Sequence, residues 1–71
     1  MILTALKSGE LARIVAIEGG HGLRQNLLLH GISEENTVRM VSSNRGPVVL
    51  EINGSTIAIG RGMAKKIIVQ K

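Results

Sequence analysis

Residues 48–59 read Val-Val-Leu-Glu-Ile-Asn-Gly-Ser-Thr-Ile-Ala-Ile, two aliphatic runs meeting at Asn53-Gly54. Asn-Gly is the favoured pair for a two-residue type I′ turn, whose central positions both need positive φ and whose twist suits a hairpin. Folding about that turn sets Ile52 opposite Ser55, Leu50 opposite Ile57 and Val48 opposite Ile59. One face becomes almost wholly aliphatic, while the other carries Val49, Glu51, Thr56 and Ala58. A slip of one residue would turn the aliphatic face to water. Turn chemistry and hydrophobic pattern thus select the same register, and they commit the chain to antiparallel strands.

Other segments extend the pattern. Residues 37–41, Thr-Val-Arg-Met-Val, alternate with Val38 and Met40 inward. Residues 67–69, Ile-Ile-Val, make a short closing strand. Residues 12–17 alternate at Ala12 and Ile14, then change phase to reach Ile17, as a β-bulge requires. Pro47, after Gly46, stands where a proline disturbs a strand least. Residues 23–30 break the period. Leu23 and Leu27 share a helical face, and Gly31 occupies the usual position of a left-handed C-cap. Leu23 and Leu27 are expected to face the sheet. Leu28 and Leu29 diverge by about 100° per residue, so at least one is expected at the surface. A shorter turn around residues 60–64 joins the last two strands.

These elements predict a mainly β fold: a small SH3-like barrel of about five strands with one short inserted helix, forming one domain over residues 1–71. An OB-fold is the nearest rival, but it usually needs more chain. At 71 residues only about 60% of the unfolded surface can be buried, so the core must be efficient. There is no Cys, which excludes disulfides and thiolate metal sites. The core is therefore expected to be Ile, Leu and Val.

The same composition narrows function. No aromatic residue is present, which removes the stacking contacts of single-strand nucleic-acid modules and the lining of polyproline grooves. The net charge of +4 permits an acidic partner, but the cations are dispersed: Arg13, Arg24, Arg39, Arg45, Arg61 and Lys71, with only Lys65 and Lys66 adjacent. Nucleic-acid binders concentrate such charge on one face, so nucleic acid is not expected as a partner. Gly19-Gly20-His21-Gly22 precedes a helix but lacks the Lys-Ser/Thr of a phosphate loop, having Leu23-Arg24 instead. It reads as a flexible turn, and no cofactor site is assigned. His21 and His30 lie nine residues apart and cannot chelate as an i, i+4 pair; with Glu18 they fall short of a metal site, and none is assigned. No nucleophile stands at a suggestive spacing from an oriented base, so the chain is expected not to be an enzyme. No apolar run approaches the roughly 18 residues of a membrane span, and the N-terminus lacks a signal-peptide pattern. A cytoplasmic location is expected. What remains is a binding module whose surface is the helix and its loops. An exposed Leu28 or Leu29 beside Arg24 would form a small apolar patch with a cationic edge. The alternative is that these leucines complete the monomer core or a homo-oligomer contact.

The ordered set of residues resembles a family. Leu3 and Leu6 with Gly9-Glu10, then Ala12-x-Ile14-x-x-Ile17 and Gly19-Gly20, resemble the opening of FeoA, the small ferrous iron transport protein A. Arg24-Gln25-x-Leu27-Leu28-x-x-Gly31-Ile32 resembles its helix. Gly46-Pro47, residues 48–52, Ile57-Ala58-Ile59 and Ala64-x-x-Ile67-x-Val69 resemble its second half. The resemblance implies an SH3-like fold and a cytoplasmic accessory of ferrous iron uptake. It also implies protein–protein contact with the cytoplasmic GTPase region of a large membrane transporter, so that membrane contact comes only through the partner. Arg24, Leu27 and Leu28 match family helix positions and inherit the partner-binding role. The helical-wheel argument independently favours Leu28 and assigns Leu27 to the core. Three positions depart from the family pattern: His30 replaces an aliphatic residue, Glu34-Glu35 replaces a Pro-Gly turn, and Gly60 stands where a basic residue is frequent. Asn36 is expected to adopt the left-handed conformation of the missing glycine. The alternative function is an SH3-like interaction domain related to the C-terminal domain of metal-dependent transcription regulators. Against it, the chain is expected to be free-standing, without an upstream helix-turn-helix segment.

Overall fold

In a computed structural model that describes residues 1–44 and 46–71, the Asn53-Gly54 turn forms as expected. Asn53 and Gly54 have φ of 52° and 81°. They join β3 (Val48–Ile52) to β4 (Ser55–Ile59) in the predicted register, with Ile52 opposite Ser55, Leu50 opposite Ile57 and Val48 opposite Ile59. β1 (Leu11–Ile17) starts one residue earlier than expected; β2 (Thr37–Ser42) and β5 (Ile67–Gln70) each end one later. All pairs are antiparallel, in the order β4-β3-β2-β1-β5. The sheet is curled but not closed, because β4 and β5 do not pair. The helical turn α2 (Arg61–Ala64) links these two edges and packs on the 3-10 turn Leu3–Ala5, which also packs on β5. The expected five-stranded SH3-like arrangement is present, with its seam bridged by these turns.

Two bulges bend the strands. In β1, Ile14 pairs with Val69 and Ala16 with Ile68, leaving Val15 as the extra residue. This is the predicted phase change, and it carries burial from Ala12 and Ile14 to Ile17. In β2, Met40 pairs with Leu50 and Ser42 with Val49, so Val41 is extra. The carbonyls there are held from afar: Gly9 N–H donates to Met40 O at 2.7 Å and Ser8 Oγ to Val41 O at 2.9 Å.

Every buried side chain among the described residues is apolar. Val38, Met40, Val48, Leu50, Ile14 and Ile67 fill the concave side of the sheet, and Leu3, Leu27 and Ile32 seal it. Exposed ion pairs decorate the outside. Arg39 meets Glu51 at 2.7 Å, and Lys71 meets Glu10. The Lys71 hydrogen bond, aided by the Lys7 N–H, holds the Glu10 carboxyl below its ordinary range. Arg45, one of the dispersed cations, lies outside the described residues.

Candidate functional site

The expected helix forms as α1 (His21–Leu29), beginning two residues before the predicted start. Its N-cap is Gly20, with no side-chain cap. A Cβ at Gly19 would lie 2.3 Å from Leu23 Cδ2, so a side chain there requires the end of the Leu23 side chain to move. The C-terminus is more strongly determined. Gly31 takes φ 81° and donates to Leu28 O at 2.9 Å, while Ile32 N–H donates to Leu27 O at 3.0 Å. That is the two-bond Schellman ending, and its hydrophobic contact joins Leu27 to Ile32, both fully buried.

This ending sorts the leucines. Leu27 has no exposed surface, whereas Leu28 is 62% and Leu29 83% exposed. The helical-wheel expectation that at least one of these leucines lies at the surface is met by both. Leu27, inherited as a partner-binding position, is enclosed by the core and cannot present its side chain to a partner in this structure. Leu23 is half-buried against the core, as expected.

Arg24 is also placed differently from a free cationic edge. Its Nη1 donates to Ile17 O at 2.8 Å and its Nη2 to Glu34 Oε1 at 3.0 Å. The guanidinium therefore ties α1 to the end of β1 and to the turn that follows the helix. Between these elements lies an open groove of about 320 Å³. Leu28 forms one wall, Ile17 and the fully buried Ile32 lie beneath its floor, His21, Gln25 and Ser33 line the rest, and the Arg24–Glu34 pair sits at its rim. Ile17, Ile32 and Glu34 were not singled out for this site from sequence. The only signal was a Glu ten residues beyond an Arg across a helix end, which does not reveal a contact.

The turn after α1 corrects another expectation. Glu35, not Asn36, takes the positive φ, at 81°. Asn36 is occupied otherwise: its Oδ1 accepts from Ser33 N–H and Ser33 Oγ, each at 2.8 Å, and its carbonyl accepts from Ile14 N–H. Glu35 N–H donates to Ile14 O at 2.8 Å, so the left-handed residue anchors the turn to the β1 bulge.

His21 and His30 are both exposed. His30 Nδ1 donates to Asn26 O at 3.0 Å, which leaves only Nε2 for any ligand. Among the described residues no three His, Cys, Asp or Glu side chains come together as a metal-binding group. Among the described residues no helix is long and apolar enough to cross a membrane. The site is thus a small apolar groove with a self-neutralised charged rim, suited to holding an apolar side chain.

Fold and groove together describe a small antiparallel β domain with an open groove between α1, the end of β1 and the turn at residues 33–36. The chain belongs to the FeoA domain family, whose pattern it matches over residues 1–71. It is 38% identical, over 96% of its length and 83% of the relative's, to a protein of Methanocaldococcus jannaschii provisionally named Fe(2+) transport protein A. It also superposes on the crystal structure of an iron uptake regulatory protein, FeoA, with a TM-score of 0.90 and 32% identity, covering 97% of this chain and 92% of that one. A manganese-dependent transcriptional repressor gives a TM-score of 0.88 at 21% identity, covering 97% of this chain but 40% of the repressor. That last likeness is one of fold.

Proposed function

We propose that the chain is a non-enzymatic accessory of ferrous iron uptake that acts in the cytoplasm. Residues 1–71 work as one unit that docks on the cytoplasmic GTPase region of a membrane ferrous iron transporter. The iron-transport setting comes from the family and from the name of the M. jannaschii relative. The docking role rests chiefly on Leu28, a large aliphatic side chain 62% exposed at the wall of an apolar groove. An uncovered leucine beside a concave apolar surface is the kind of feature that marks an interaction site. Arg24 contributes by holding the groove's walls, and Leu27 by anchoring α1 from beneath.

The repressor fold supports a second reading, an interaction domain that contacts other domains of a regulator, but its 21% identity carries shape alone. A titration separates the two. Isotope-labelled chain would be titrated with the purified GTPase region of a ferrous iron transporter and followed by NMR. Shifts are expected at Arg24, Leu28, Ile32 and Glu34. No shift at saturating partner, or shifts confined to the outer face of the sheet, would contradict the proposed surface.

A further inference from the structure

β4 forms an open edge of the sheet. In a two-residue hairpin the pair flanking the turn is hydrogen-bonded, and the pairs alternate from there. The backbone groups of Ser55, Ile57 and Ile59 therefore point to β3, and those of Thr56 and Ala58 point away from it. Both outward residues are exposed, and among the described residues no backbone group outside the hairpin bonds to theirs. The edge at β5 is different. Ile2 bridges Ile68, and Met1 exchanges hydrogen bonds with Val69 on both sides, at 2.7 and 3.0 Å.

Exposed edges are commonly guarded by charge, proline or a bulge. β4, Ser-Thr-Ile-Ala-Ile, has none of these. Ile57 also stays only half-buried, although Leu50 opposite it is fully buried. We propose that β4 pairs antiparallel with β4 of a second copy of this chain, about a two-fold axis at Ile57. In that register Thr56 of each copy faces Ala58 of the other, and four backbone hydrogen bonds form. Ile57 meets its counterpart as a non-hydrogen-bonded pair, the closer kind, which covers its remaining apolar surface.

The strand itself argues for a second copy as the occupant. An uncharged edge meets its own image without like-charge repulsion, and an antiparallel pair of identical strands is what a two-fold axis generates. With residues 1 and 2 partly occupying β5, the assembly ends at two chains. A contact of two paired residues per chain is much smaller than a standard interface, so association is weak and concentration-dependent.

Sedimentation velocity from about 10 μM to about 1 mM reads this directly. Ala58→Pro deletes the outward N–H without removing a bond to β3. Thr56→Lys places a cation on the edge, opposite Glu51, and serves if the proline variant does not fold. Circular dichroism checks both. The wild type is expected to shift reversibly from one chain to two, with each folded variant at least about tenfold weaker in association. A wild type that remains one chain throughout would overturn the proposal, as would folded variants that associate like the wild type. Loss of association in Leu28→Gln alone would place the contact on α1 and overturn it equally. None of these outcomes depends on binding to the transporter.

Discussion

Leu27 and Leu28 are neighbours in sequence and opposite in role. Removing Leu27, which seals the core beside Ile32, leaves a cavity; Leu27→Ala is expected to cost about 2–5 kcal/mol of stability. Leu28→Gln changes a mostly solvated side chain and is expected to stay within about 0.5 kcal/mol of the wild type. Urea unfolding of the two variants checks this, and a comparable loss in both would contradict the assignment. The division between them was legible in sequence, because 100° per residue separates adjacent helix positions. The tie made by Arg24 was not, since its partners, Ile17 O and Glu34, come from two other segments. The left-handed residue of the following turn was misplaced for the same kind of reason. Asn36 has the intrinsic tolerance for positive φ, but its side chain is engaged by Ser33, and Glu35 takes the strained position.

At the scale of elements, the hairpin shows how far local chemistry reaches. Asn53 and Gly54 both hold positive φ, a conformation that costs an ordinary L-residue about 1–2 kcal/mol. Replacing both by Ala is expected to cost about 2 kcal/mol or more, a fall in Tm of about 10 °C for a domain of this size. An unchanged Tm would count against the turn type. The β1 bulge was readable because the aliphatic phase changes within the strand. The β2 bulge was not, because Thr37 to Val41 alternate without a break and the shift is held by Ser8 and Gly9, far away in sequence. The helix start was likewise obscured. Gly20, His21 and Gly22 carry no capping side chain and little helical propensity, so the helix begins where packing of Leu23 permits it.

For the whole molecule, the core is aliphatic and holds no aromatic ring. Among the described residues, Arg24, Arg39 and Lys71 are each paired with a glutamate. Large apolar side chains are exposed at Leu28 and Leu29 on α1, and also at Leu11 and Val15 in β1, Val41 in β2, and Met1 and Ile2 at the N-terminus. Periodicity made the core legible, and helical geometry required at least one of Leu28 and Leu29 at the surface. The groove itself arises only when β1, α1 and the turn at residues 33–36 meet in space. Docking of this groove on a transporter is tested by a pull-down from membranes with tagged wild type and tagged Leu28→Gln, matched beforehand in circular dichroism and Tm. Recovery of a ferrous iron transporter by the wild type and its loss in Leu28→Gln is the predicted result. Equal recovery by both proteins, or none by the folded wild type, would contradict it.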